Sequence, residues 1–207
     1  MFLHISLLAC TDNGNKSTAE KLAENLEKLA ENFVKDLEWQ QIDRLQPCDG
    51  IETKHTLLHR ACKNGDVELV KFLVSKGANV NVKGKWEYTP LYLAIQYNEG
   101  EVVEFLVSQG ADVNARTSNG DTPLHEAGRK ENIEVVKLLI LNGAEVNARD
   151  DFDNTPLHRA VENENVEVIQ FLVSQGADVN ARDNIGGTPL HRAVENENIE
   201  IAQFLVS

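Results

Sequence analysis

Apolar positions along residues 150–182 follow two short helical rhythms separated by polar breaks. Leu157 and Ala160 fall on one face of a predicted first helix, and Asn163 to Asn165 interrupts it. Val168, Ile169, Leu172 and Val173 then recur at helical spacing within Val166 to Ser174, which predicts a second, amphipathic helix. Both have punctuation at their ends. Thr155 supplies an oxygen for the free amides of a helix start, and Pro156 follows at the position where a missing N–H costs nothing. Gly176 stands just after the second helix, where a left-handed residue ends one. From Ala177 to Gly186 the chain is turn-rich. The unit therefore reads as helix, turn, helix, extended loop.

This unit recurs. Thr56-Leu57-Leu58-His59 is followed by Thr89-Pro90-Leu91-Tyr92, Thr122-Pro123-Leu124-His125, Thr155-Pro156-Leu157-His158 and Thr188-Pro189-Leu190-His191, each step being 33 residues. Ala61, Ala94, Ala127, Ala160 and Ala193 keep the same register, and Gly77, Gly110 and Gly143 match Gly176. The units run 51–83, 84–116, 117–149, 150–182 and 183–207, the last cut short. A pair of short helices cannot bury its apolar face alone, so the units must stack and share a core along the array.

These stretches, with Gly-Ala-Asp-Val-Asn-Ala at residues 110–115 and 176–181, resemble the ankyrin repeat family over residues 51–207. The resemblance implies an all-α repeat solenoid with hairpin-like loops projecting at right angles to the helix pairs, and a concave groove formed by loop tips and first helices. It implies a non-catalytic scaffold that binds a protein partner. The family histidine, which fixes the helix start and the contact between repeats, maps to His59, His125, His158 and His191, while Tyr92 departs from the pattern.

Residues 1–50 lie outside the period. Ser17-Thr18-Ala19-Glu20 has capping-box spacing, and Leu22, Leu26, Leu29, Phe33 and Leu37 form an apolar stripe. The expected element is a long amphipathic helix that caps the first repeat, a short coiled-coil dimerisation helix being the alternative. Gly14-Asn15-Lys16-Ser17 lacks the glycine spacing of a phosphate loop. At the other end, Phe204 to Ser207 stops before the closing glycine, and residues 191–198 copy 158–165. The fifth unit is thus written as an internal repeat, and the expectation is a longer array or an end covered by another chain, self-association included.

Charge and chemistry narrow the function. Lys and Arg number 20 against 33 Asp and Glu, a net charge of −13, which opposes a phosphate backbone and makes a basic or neutral protein partner easier to accept. Cys10, Cys48 and Cys62 offer no zinc or disulfide pattern, which favours a reducing, cytoplasmic setting. No stretch is long enough to span a membrane. Neither hydrolase nor metalloprotease motifs appear, and histidines on helices packed about 8–10 Å apart cannot share a zinc with bonds of about 2.0–2.1 Å. No enzyme activity, metal or cofactor is expected.

Specificity should lie where units differ. The third loop position reads Thr53, Trp86, Asn119, Phe152 and Ile185, and two residues on come His55, Tyr88, Asp121, Asn154 and Gly187. The ends of the first helices add Gln96-Tyr97 and Arg129-Lys130. Expected partner-contacting residues are Trp86, Tyr88, Gln96, Tyr97, Asn119, Asp121, Arg129, Lys130, Phe152, Asn154 and Ile185, with the aromatics as anchors. A spacer array within a longer protein is the alternative function.

Overall fold

A computed structural model describes residues 46–48 and 51–207, with side chains from 56 onward. The expected N-terminal helix and its capping role fall outside these residues. The chain divides into two units, Met1–Gln41 and Ile42–Ser207; the second holds the array.

Two strands, β1 (Gln46–Cys48) and β2 (Ile51–His55), pair antiparallel with Gln46 opposite His55. Ten helices follow as five pairs. First helices are α1 (Leu57–Lys63), α3 (Pro90–Gln96), α5 (Pro123–Gly128), α7 (Pro156–Glu162) and α9 (Pro189–Glu195). Second helices are α2 (Val67–Ser75), α4 (Gly100–Ser108), α6 (Ile133–Leu141), α8 (Val166–Ser174) and α10 (Ile199–Val206). Each first helix packs on its own second helix, and successive first helices pack on one another, as the repeat predicts. Among the described residues, strand is confined to the hairpin ahead of α1, where the solenoid's loop layer begins.

The shared core is where the period placed it. Leu58, Leu91, Leu124 and Leu157 on first helices are fully buried, as are Leu73, Leu106, Leu139 and Leu172 on second helices. Each such leucine stabilises by about 1.5–3 kcal/mol relative to exposure. Alanines 61, 94, 127, 160 and 193 are buried at the close approach of first helices. Gly128 takes that closeness further: a Cβ there would stand 2.8 Å from the Pro156 carbonyl oxygen.

Polar groups tie the repeats together in register. At three starts the Thr N–H donates to the Nδ1 of the histidine three residues on, at 3.1 Å for His59, His125 and His158. Nδ1 is therefore the acceptor, so Nε2 carries the proton and donates forward to a carbonyl of the next repeat: Tyr88 at 2.9 Å, Asn154 at 3.0 Å and Gly187 at 3.4 Å. Burial pushes the His125 and His158 imidazoles below their ordinary pKa, against the opposing pull of those carbonyl bonds and nearby carboxylates, and keeps them neutral. Behind the second helices, Asn81, Asn114 and Asn147 each bridge to the next repeat, the amide donating to the carbonyl of Gly110, Gly143 or Gly176. Their carbonyls accept the N–H of Asp112, Glu145 and Asp178.

Candidate protein-binding site

Four five-residue loops close in one register. Gly84, Thr117, Asp150 and Asp183 donate their N–H to the carbonyls of Tyr88, Asp121, Asn154 and Gly187, at 2.8 to 3.0 Å. The loops also bond to each other. Ser118 N–H reaches Trp86 O at 2.9 Å, Asp151 N–H reaches Asn119 O at 3.0 Å, and Asn184 N–H reaches Phe152 O at 3.0 Å. A backbone ladder thus runs along the loop layer and aligns Trp86, Asn119, Phe152 and Ile185 at successive tips. All four are exposed, Trp86 at 56%, Phe152 at 52% and Ile185 at 81%.

The second repeat carries a joined aromatic group. Trp86 meets Tyr88 edge-on with centroids 5.7 Å apart, and Tyr88 stacks on Tyr92 at 4.6 Å. Tyr92, standing where other repeats have histidine, is buried and donates to Glu126 Oε2 at 3.2 Å. Burial, then the Glu126 and Asp121 carboxylates, push both tyrosine hydroxyls above their usual pKa. Lys85 lies over the Trp86 ring at 4.1 Å and Lys63 over the Tyr97 ring at 4.9 Å. Trp86 is held at φ 56° and Glu87 at 61°, a left-handed conformation uncommon for residues with a side chain. Trp86 therefore touches its own hairpin through Tyr88 yet leaves half its surface to solvent.

Loop and first-helix side chains meet in an ionic ladder that makes them one wall. Asp150 Oδ1 accepts the N–H groups of Phe152 and Asn154 at 2.9 and 2.8 Å, and Oδ2 accepts Arg159 Nη2 at 2.5 Å. Asp183 repeats this with Ile185, Gly187 and Arg192. In the third repeat, Arg129 pairs with Asp121 at 3.3 Å and Glu126 at 2.8 Å. Arg159 also stands 3.8 Å from Asp121, joining neighbouring repeats. Burial works to raise the Asp150 carboxyl, but the Asn154 and Phe152 bonds and the Arg159 charge outweigh it and hold its pKa below the usual 3.8.

Two of the expected contact residues belong to this scaffold. Asp121 and Asn154 are buried, one holding Arg129 and the other closing its loop on Asp150 and accepting from His125. Enclosed by their own hairpins, both side chains support the loops. Tyr88, Gln96, Arg129 and Lys130 are half-buried, and Tyr97 and Asn119 are exposed. The supports Asp150, Asp183, Arg159 and Arg192 were passed over in the sequence. The signal was an aspartate five residues before Thr-Pro with an arginine directly after the family histidine.

Among the described residues no group of three or more His, Cys, Asp or Glu is placed to hold a metal ion, and no helix is long and apolar enough to cross a membrane. Burial pushes the Cys62 thiol up to about 12, far from a reactive thiolate.

No curated protein matches the chain. The family model for ankyrin repeats matches it in three overlapping copies, residues 6–117, 58–150 and 124–207, the first reaching back ahead of the period read from residue 51. With that coverage, the stacked helix pairs and the hairpin ladder, the chain belongs to the ankyrin repeat family, whose members are generally non-catalytic scaffolds that mediate protein–protein interaction.

Proposed function

We propose that this chain binds a protein partner along the wall made by its loop tips and first helices, without catalysing a reaction on it. The observation that carries the reading is the row of solvent-facing apolar tips, Trp86, Phe152 and Ile185, locked in register by backbone bonds. Large apolar side chains on rigid, water-facing loops offer contact area at little ordering cost. Trp86, Tyr88, Tyr97, Phe152 and Ile185 are the anchors, with Gln96, Asn119, Arg129 and Lys130 around them. At about 10 Å per stacked helix, the wall has room for the roughly 800 Å² per partner of a standard interface.

The test is titration of a captured partner against Trp86→Ala and Phe152→Ala. Each substitution should weaken binding about tenfold or more with unchanged melting. Unchanged affinity in both variants refutes the anchor assignment. A second reading, pairing of two copies through the fifth repeat, is favoured by the exposure of Val194, Ile199 and Val206. Light scattering at two concentrations checks it, and a constant monomer mass excludes it.

A further inference from the structure

Of the net charge of −13, residues 56–207 carry −9, and it is unevenly distributed over the array. The second helices and their flanking turns (64–82, 98–115, 131–148, 164–181 and 197–207) carry fourteen carboxylates against three cations, Lys71, Lys76 and Lys137. The intervening segments from 56 to 196, which are the first helices and loops of the proposed wall, carry eleven cations against nine carboxylates. Four of those nine, Asp121, Glu126, Asp150 and Asp183, are buried and committed to the scaffold. Arg129, Arg159 and Arg192 are committed with them, so the wall shows solvent eight cations against five carboxylates, a modest positive excess.

The wall is also polarised along its length. Over its first three repeats (56–63, 83–97 and 116–130) the wall carries seven cations against Glu87 and the buried Asp121 and Glu126, with Lys83 paired to Glu87 at 3.0 Å and Lys130 standing 3.5 Å from Glu126. Trp86, Tyr88, Tyr92 and Tyr97 all lie in this stretch. The last two repeats (149–163 and 182–196) carry four arginines against six carboxylates, with Phe152 as their one aromatic residue. Lys85 and Lys63 lie over the Trp86 and Tyr97 rings, so cation and apolar surface are presented side by side.

We infer that the wall over the first three repeats takes an acidic segment of the partner protein, with an apolar side chain of that segment set among Trp86, Tyr88 and Tyr97 and its carboxylates against Lys63, Lys85 and Lys130. The inference rests on the wall being the binding face. Local charge decides over net charge here, because the Debye length is about 10 Å at 0.1 M salt and the acidic second helices lie a further helix layer behind. The same acidic layer repels such a segment from the wrong side, so the distribution orients approach as well. A nucleic acid strand would continue its charge along the array into the carboxylates of the last repeats, whereas a short acidic segment ends within the basic stretch.

The experiment selects random 12-residue displayed peptides on the full chain. Enriched peptides are then measured by fluorescence anisotropy against the parent, Trp86→Ala, Phe152→Ala and a Lys63→Glu/Lys85→Glu/Lys130→Glu variant, all checked for unchanged melting. A 12-nucleotide deoxythymidine strand is measured beside them. The expected result is enrichment of acidic peptides with at least one large apolar residue, with affinity falling about tenfold or more in Trp86→Ala and in the charge-reversed variant, and falling with added salt. Neutral or basic peptides that still need Trp86 overturn the acidic assignment and leave the wall as the binding face. Peptides indifferent to Trp86→Ala and Phe152→Ala overturn both. Failure to enrich any peptide, or tighter binding of the strand than of any enriched peptide, also overturns the proposal.

Discussion

Replacing Asp150 by alanine removes one side chain that serves a loop and a helix at once and holds Arg159, which stands 3.8 Å from Asp121 of the preceding repeat. Its carboxylate accepts the Phe152 and Asn154 N–H groups, the Asn154 side-chain amide at 3.1 Å, and Arg159 at 2.5 Å. The Asp150 side chain is 1% exposed and that of Arg159 16%, so neither the amides nor the guanidinium can simply turn to water. Breaking a buried pair by removing one partner costs about 3–5 kcal/mol. Arg159 keeps Glu162 at 3.1 Å, which places the expected loss near the lower end, about 3 kcal/mol. Asp150→Asn retains an acceptor for the two backbone amides and loses only the charge, so about 1–2 kcal/mol is expected. Asp151→Ala is the control: its pair with Arg116 is half exposed on both sides and should contribute at most about 1 kcal/mol. Urea unfolding followed by far-ultraviolet circular dichroism gives all three, and Asp150→Ala should lower the melting temperature by about 6–12 °C. Amide exchange should rise at Phe152 and Asn154. If Asp150→Ala and Asp151→Ala prove equal, the loop is not held by this carboxylate and the ladder reasoning fails. Because the folded pKa of Asp150 lies below 3.8, its contribution is present above that pH and is lost on acidification through the folded value.

Stability should also fall earlier on the acid side. His125 and His158 have folded pKa values below the ordinary 6.5, so the unfolded chain binds more protons in that window, and the urea midpoint should drop between pH 7.5 and about 5.5; a flat or rising midpoint would contradict the neutral-imidazole assignment. Gly128→Val brings the third repeat closer to the others, which carry Cys62, Ile95, Val161 and Val194 there, yet it should destabilise by about 1–3 kcal/mol because its Cβ meets the Pro156 carbonyl at 2.8 Å. Calorimetric melting decides, and a raised melting temperature would show that α5 and α7 can part freely. Gly100→Ala should stabilise by about 0.4–1 kcal/mol, since that glycine lies in the first turn of α4 and its nearest atom is Asn132 Nδ2 at 3.9 Å; a loss in urea unfolding would point to strain there.

Residues that repeat were legible in advance, and residues that depart from the repeat were legible only as departures. The Thr-Pro starts, the closing glycines and the leucine and alanine core all follow from helix capping and burial, which act within a few residues or between identical neighbours. Loop position alone left Asp121 and Trp86 as equal candidates for contact. Only their surroundings separate them: Asp121 turns inward to Arg129, while Trp86 is pinned at the tip by Lys85, Tyr88 and the Ser118 N–H. Tyr92 was visible as a missing histidine, but its stacking on Tyr88 and its bond to Glu126 of the next repeat depend on two side chains brought together by stacking.

Charge gives the same lesson in a different form. Composition gives a total of −13 and suggests a basic or neutral partner. The stacked helices separate the array's share of that total into an acidic back and a wall with a small cationic excess, because second helices carry most of the surface glutamates while Asp121, Asp150 and Asp183 of the wall are buried under arginines. What the sequence determined by itself was the period, and with it the solenoid, since identical units with one apolar face have no other way to bury it. What only the tertiary structure decided was which variable side chains face water and which charges cancel inside the scaffold, since burial and pairing depend on neighbours 33 residues away as much as on those adjacent in the chain.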